Sequence, residues 1–338
     1  MKQSVTLQKT GIMASRCTIY LSVIRRLIQR DFLMKKLKVV KYDSLMTKEN
    51  NYETHKAWTM SRAFKPKNLE WVYAGGLQPE AAKPAELIPC PDDIALFTDK
   101  DIVSPLVDQV QAKYKLVYLS ECRTIHPFVY HWMTKVEDKF DYIFTHDAQL
   151  LARDPKYVLN VLGTSWLTDG EAKIYEKTKM FSHIASKQNW SPGHKLRHLI
   201  TKVIQNKKLD VDLWGSAINP FDRKTEPLAD YFFSITVMNA KHDNYFTETL
   251  VDNFRTGTIP IFWGCENIGE FFNEKGIIRF NNGPELLDLI NSLTPQDYYD
   301  RMEYIKENFE IAKKYKSVDD ILGRNIIKTL GLKGYKYE

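Results

Sequence analysis

Two stretches of the 338-residue sequence bring hydrogen-bond donors, cations and a carboxylate to places where a helix begins. The first is Asn239-Ala240-Lys241-His242-Asp243-Asn244-Tyr245-Phe246-Thr247-Glu248-Thr249-Leu250, which follows a strand pattern, opens a helical one and leads into Gly257-Thr258-Ile259-Pro260-Ile261-Phe262-Trp263-Gly264. Asp243 or Asn244 is placed to cap that helix and Gly257 to end it. Its N-terminus would present free backbone N–H groups and the positive end of a dipole, an arrangement that suits a diphosphate. Thr247 and Glu248 fall in the first turn, where a hydroxyl can bond a phosphate and a carboxylate can accept from ribose hydroxyls. The plainer alternative is that Thr247 only caps and Glu248 only complements the dipole. The second stretch, Ser186-Lys187-Gln188-Asn189-Trp190-Ser191-Pro192-Gly193-His194-Lys195-Leu196-Arg197, gathers three cations at another strand-to-helix turn, either as an anion site or as a solvated helix face.

Carboxylates and histidines concentrate elsewhere. The strand pattern Leu116-Val117-Tyr118-Leu119 ends in Ser120-Glu121-Cys122-Arg123, which puts Glu121 at a strand's carboxyl end. Glu121 is free for chemistry there unless it pairs with Arg123 or enters a buried hydrogen bond. His126, His131 and His146 follow closely, and Thr145-His146-Asp147 either lines the same cleft or is polar surface. Asp92-Asp93 and Asp319-Asp320 suggest metal ligation only superficially: one follows Pro91 before a strand and the other opens a helical pattern, so solvated or capping roles are expected. Cys17, Cys90, Cys122 and Cys265 are far apart, with no zinc spacing and no small disulfide scaffold, so reduced thiols and no metal site are expected.

These residues need a framework to position them. At roughly 150 residues per domain the length suggests two domains. With 43% hydrophobic and 27% charged residues, long disordered, collagen-like and coiled-coil architectures are excluded. The net charge of +6 tilts toward an anionic ligand but is no nucleic-acid footprint. From residue 37 short apolar runs at 37–42, 69–73, 94–98, 115–119 and 142–144 alternate with helical patterns at 103–112 and 128–136, which predicts a largely parallel sheet with helices on its faces. A polar stretch, 167–178, precedes a second series: strand 180–185, helix 193–205, strands 210–214 and 231–237, helix 245–255, strand 258–262, short helix 267–272 and strand 276–280. Helical patterns at 284–292, 295–315 and 318–330 close the chain. The expectation is an α/β protein of two facing Rossmann-like domains, 34–170 and 171–338, with ligands in the cleft at the carboxyl ends of the strands.

Residues 1–33 are an N-terminal extension of different character. They are basic and include an amphipathic piece, 19–28, that either lies on an anionic membrane surface, packs as a helix or stands outside the fold. The apolar stretch 17–24 contains Thr18 and Ser22 and runs into Arg25 and Arg26, far below the roughly 20 residues a spanning helix needs. No membrane span is expected. A cytoplasmic location, with peripheral membrane contact through this extension, is the corresponding expectation.

The run Tyr231-Phe232-Phe233-Ser234-Ile235, Asn239, Tyr245-Phe246-Thr247-Glu248, the block 257–264, Asn267-Ile268 and Phe272-Asn273 resembles the C-terminal signature of glycosyltransferase family 10, the α1,3/4-fucosyltransferases. The family reads F-E-N-S, then Y-x-T-E-K-L, then G-x-I-P-I-x-W-G and F-N, in that order. The likeness is close over about fifty residues and weak over most of 94–282. It implies a GT-B fold, an N-terminal acceptor domain, a C-terminal nucleotide-sugar domain and inverting transfer with neither metal nor cofactor. The donor would be GDP-fucose and the acceptor a glycan, with no nucleic-acid partner.

By this resemblance Asn239, Tyr245, Thr247 and Glu248 hold the donor, and Arg197, with Lys195 as its alternative, contacts the diphosphate. Inverting transfer needs a base for the acceptor hydroxyl; family members carry a Glu after the strand that corresponds to 115–119, which makes Glu121 the candidate catalytic base. Two positions depart from the pattern. Met238 replaces a Glu, and Thr249 replaces a Lys that would have faced the diphosphate, so Lys241 or another cation substitutes or the donor differs. The competing readings are a related GT-B transferase using another nucleotide sugar and a non-catalytic carbohydrate- or nucleic-acid-binding protein.

Overall fold

The computed structural model describes residues 37–44, 69–78, 85–333 and 335. The extension 1–33, its expected membrane contact and Cys17 lie outside them. The first sheet contains β1 (Leu37–Tyr42), β2 (Leu69–Gly75), β3 (Cys90–Thr98), β4 (Ala112–Tyr118), β5 (Tyr142–Thr145) and β6 (Tyr157–Leu159), with α1 (Pro127–Val136) and α2 (Ala148–Leu151) between later strands. Its order is β2-β1-β3-β4-β5-β6, and every pairing is parallel. The second half contains β7 (Lys179–Ile184), α3 (Pro192–Lys207), β8 (Asp212–Trp214), β9 (Tyr231–Val237), α4 (Glu248–Thr256), β10 (Ile259–Trp263) and β11 (Ile278–Arg279), followed by α5 (Gly283–Ser292), α6 (Pro295–Tyr299), α7 (Met302–Ala312) and α8 (Val318–Thr329). Its strands order as β11-β10-β9-β7-β8, again all parallel.

The two-sheet expectation therefore holds, with local corrections. The helix expected at 103–112 is instead two 3-10 turns, Asp99–Val103 and Pro105–Gln109. Pro105 forces its predecessor out of the helical region; Ser104 is extended, at φ −67° and ψ 134°, and its side chain caps the second turn. The helix expected from 245 starts at Glu248, because Thr247 is extended at φ −130°. The single helix expected over 295–315 breaks at Asp300 and Arg301 into α6 and α7. A 3-10 turn, Ile268–Glu270, replaces the short helix at 267–272.

Alternation along the strands builds two cores on the first sheet. Val40, Tyr42, Ala95, Phe97, Val117 and Ile143 point to one face, which α1 covers through Val129, Tyr130 and Met133. Leu37, Val39, Ile94, Leu96, Leu116 and Phe144 point to the other, where Leu322, Ile326 and Ile327 of α8 meet them. Trp71 Nε1 donates to Asp319 Oδ2 at 3.3 Å and Asn325 Nδ2 to Asn160 Oδ1 at 2.8 Å. The last helix of the 171–338 segment thus completes the core of the segment before it. In the second sheet β9 is buried along its whole length, as a central parallel strand covered on both faces should be. Among the described residues no helix is long and apolar enough to cross a membrane.

Truncating a fully buried α8 side chain should therefore act on the first sheet. Leu322→Ala is expected to cost about 2–5 kcal/mol, read as a lower urea midpoint, with faster amide exchange in β1 and β3 rather than in β9 and β10.

Candidate active site at the seam between the two sheets

The turns that follow β4 and β5 meet the segment that follows β9. Polar and ring contacts join the halves there. Thr124 Oγ1 and His242 Nε2 lie 2.6 Å apart, Asn244 Nδ2 donates to the His146 carbonyl at 3.1 Å, and the His146 and Tyr245 rings are 5.1 Å apart. Asn244 takes a left-handed backbone, φ 60°, and is clasped by Asn267: Asn244 N donates to Asn267 Oδ1 at 2.8 Å and Asn267 Nδ2 to Asn244 Oδ1 at 2.9 Å.

Glu121 sits in the turn after β4. Its carbonyl accepts from the Tyr130 hydroxyl at 2.7 Å, and the backbone N–H groups of Ser120 and Glu121 point at Asp99 Oδ1, at 2.9 and 3.5 Å. The expected alternative, a pair with Arg123, does not form. Arg123 instead holds Asp147 in a two-point contact at 2.9 and 2.8 Å, with its guanidinium over the Tyr130 ring. Glu121 Oε2 is left buried without a hydrogen-bond partner. Burial above all, then the carboxylates of Asp99 and Glu248, push the Glu121 carboxyl up to about 7, with the Tyr245 hydroxyl opposing the rise. An uncompensated carboxylate of this kind takes up a proton readily near neutrality.

The second half answers with Arg197. Its Nε donates to the Val237 carbonyl at 2.9 Å and its Nη2 to Asn239 Oδ1 at 2.9 Å, so β9's end holds the guanidinium while Nη1 makes neither bond. Burial lowers its basicity, and the Glu248 and Tyr245 charges counter that. The contact depends on Gly193: its N–H donates to the Asn239 carbonyl at 2.9 Å, and a Cβ there would stand 1.8 Å from the Met238 oxygen. Lys195, two residues earlier on α3, projects from another side of the helix and is exposed. It does not join the group.

Thr247 caps α4, its hydroxyl accepting from Thr249 N at 3.3 Å, and Glu248 is the helix's first residue. Thr249 Oγ1 bonds Glu248 Oε1 at 3.2 Å, so a hydroxyl occupies the position of the family's Lys. Lys241 does not replace that cation: its Nζ is engaged by Glu266 Oε1 at 2.8 Å and Asn281 Oδ1 at 3.1 Å and lies over the Trp263 ring. Met238 is buried because its side chain fills the space above Gly264, where a Cβ would come within 2.4 Å of it.

Glu121, Arg197, Asn239, Tyr245, Thr247 and Glu248 are thus gathered at one seam, whereas Lys195 and Lys241 are not part of it. His146 is buried, and burial lowers its pKa to about 4, so it is neutral; His131 is exposed. Asp93 stands in a loose 3.9 Å pair with Lys38, and Asp319 and Asp320 lie in the first turn of α8, where Ser317 Oγ caps Asp320 N. Among the described residues no group of three or more His, Cys, Asp or Glu side chains is placed to hold a metal ion. Sequence reasoning missed Asp99, although it directly follows a strand's carboxyl end, the criterion that selected Glu121. It also missed Tyr130, which carries no local signal.

Residues 174–324 match glycosyltransferase family 10 (fucosyltransferase), C-terminal domain. A Helicobacter pylori protein, alpha-(1,3)-fucosyltransferase FucT, is 34% identical over 73 residues, 21% of this chain and only 15% of that relative. Among solved structures, an alpha1,3-fucosyltransferase with GDP-fucose aligns with a TM-score of 0.51 at 17% identity, covering 90% of this chain and 92% of its own. Anabaena HepE in complex with UDP-glucose aligns with a TM-score of 0.56 at 12% identity, covering 88% of this chain and 100% of its own. At such identities the likeness is one of fold, the GT-B architecture of two facing α/β halves. Together with the signature at the end of β9 and the start of α4, the match assigns residues 174–324 to the C-terminal domain of glycosyltransferase family 10.

Proposed function

We propose that the chain transfers L-fucose from GDP-fucose to a hydroxyl of a glycan with inversion at the sugar carbon. The observation that carries this reading is the Glu121 carboxyl, whose Oε2 is buried without a hydrogen-bond partner, with Glu248 at the start of α4 and Tyr245 near it from the second half. In the proposed step Glu121 removes the acceptor hydroxyl proton, the freed oxygen bonds to the sugar's anomeric carbon, and the bond from that carbon to the diphosphate oxygen breaks. GDP departs with the electron pair. Arg197 and the N–H groups at the start of α4 offset its growing charge. Thr247 and Glu248 bind the nucleotide part, Asn239 fixes the guanidinium, and Tyr245 lines the wall between base and donor.

Incubation with GDP-fucose and a mixed glycan panel should give a fucosylated product. Glu121→Gln is expected to lose about 10²–10⁴-fold in kcat with donor affinity kept, while Arg197→Ala raises the donor KM at least about tenfold. The reverse pattern would exchange the two roles, and a chain that neither transfers fucose nor binds GDP would end the fucosyl reading.

Because the working form of Glu121 is the carboxylate, kcat/KM should rise with pH through an apparent pKa near 7. The same shift acts on stability with a definite sign. A carboxyl raised from 4.5 to about 7 by folding weakens the native state as pH climbs through that interval. Glu121→Gln should accordingly stabilise the protein at pH 8, by about 2 kcal/mol after allowing for partial solvent screening. That gain should vanish toward pH 4.5, as followed by thermal unfolding across pH.

A second reading, transfer from a different nucleotide sugar, is favoured by Thr249 in the family's Lys position and by the engagement of Lys241 with Glu266. Thermal shifts with GDP, UDP and dTDP and their sugars separate the two, since the nucleotide that binds the folded state raises its midpoint.

A further inference from the structure

We infer that Asp99 is the positioning residue of this site, fixing the Glu121 turn and setting the ionisation of the Glu121 carboxyl. This rests on the role of Glu121 proposed above. Asp99 is the first residue after β3 and adopts φ 42°, a left-handed backbone that Asp and Asn accept more readily than other non-glycine residues. That backbone turns the carboxylate onto the end of β4. Oδ1 accepts from Ser120 N at 2.9 Å, Oδ2 accepts from the Ser120 hydroxyl, and the Glu121 N–H approaches Oδ1 at 3.5 Å.

After burial, Asp99 is the strongest of the charges that act on Glu121. Glu121 is faced by Asp99 from the end of β3 and by Tyr245 and Glu248 from the second half; Tyr118 of β4 lies near both acids and His126 near Asp99. Lys41 and Asp43, at the end of β1, face Asp99 and are themselves paired at 3.3 Å. Arg123 is committed to Asp147. When ionised, the Asp99 carboxylate opposes ionisation of the base whose turn it holds, and that opposition is relieved when Glu121 takes the acceptor's proton.

Asp99→Asn tests this, because Asn tolerates the left-handed backbone and keeps the side chain's shape while removing its charge. The Glu121 carboxyl can be titrated without substrate by isotope-edited infrared spectroscopy of ¹³C-Glu-labelled full-length protein, its band assigned by subtraction of Glu121→Gln. The expected result is a Glu121 midpoint about one pH unit lower in Asp99→Asn, with the acid limb of the rate profile moved equally. The kcat should fall about tenfold with the donor KM unchanged. An unmoved midpoint overturns the inference. If Asp99→Asn does not fold, Ser120→Ala decides: the Ser120 and Glu121 amides should exchange at least tenfold faster, and unchanged exchange likewise overturns it. A wild-type chain that transfers no sugar would remove the proposed function but leave the titration and exchange results to judge Asp99.

Discussion

One turn of backbone carries an unusual share of the first half's order. Asp99 and Asp101, two residues apart after β3, direct both carboxylates to groups on neighbouring loops. Asp101 accepts from Ser44 N at 2.8 Å and Leu77 N at 2.6 Å, at the ends of β1 and β2, while Asp99 holds the end of β4. Parallel strands deliver loop ends to one edge but leave them free to splay. Here buried carboxylates satisfy several of those N–H groups at once, with charge-assisted bonds stronger than loop-to-loop amide contacts. The cost is two acids out of water: burial pushes Asp101 up to about 6 and raises Asp99 as well. That cost is tolerable only because each carboxylate has several donors.

The second half organises around α4, which is tied at both ends. Its start faces the seam. Its far side holds the connection between halves, since Ser165 and Trp166 donate to Asp252 and Arg255 donates to Ser165 Oγ at 2.8 Å and the Leu167 carbonyl at 3.0 Å. Its end is met by the buried Lys177, which donates to the Thr256 carbonyl at 2.9 Å. A helix fixed in this way presents its first turn with little freedom to drift, as pre-organised anion binding requires. The same bonds couple that geometry to the chain segment joining the two sheets.

Much of this was legible in the sequence where a pattern had one physical meaning. The apolar run Tyr231–Val237 has to be a buried central strand, and Pro192 after Ser191 has to open a helix. Glu121 could be selected because a strand's carboxyl end is where such folds place chemistry. The parts that were not legible depend on partners distant in sequence. Arg123 bonds Asp147 rather than the adjacent Glu121, and Lys241 bonds Glu266, choices made by the turns that carry these residues. Arg197 was preferred over Lys195 on the family resemblance alone; the packing of Gly193 against Met238 and Asn239, and the bonds of Arg197 to Val237 and Asn239, are what the sequence does not display. The helix expected at 103–112 failed on Pro105, a signal present in the sequence that was outweighed by the apolar spacing.

The return of α8 to the first sheet has a bearing on synthesis. A face that carries Val39, Leu96, Leu116 and Phe144 stays open to water until residues 318–329 have been made, although the strands that build it are among the first described residues to emerge. The first half cannot mature as an independent unit behind the ribosome, as domains generally do. Its final packing waits for residues 318–329, and until then the nascent chain offers an apolar surface suited to chaperone capture or to misassociation.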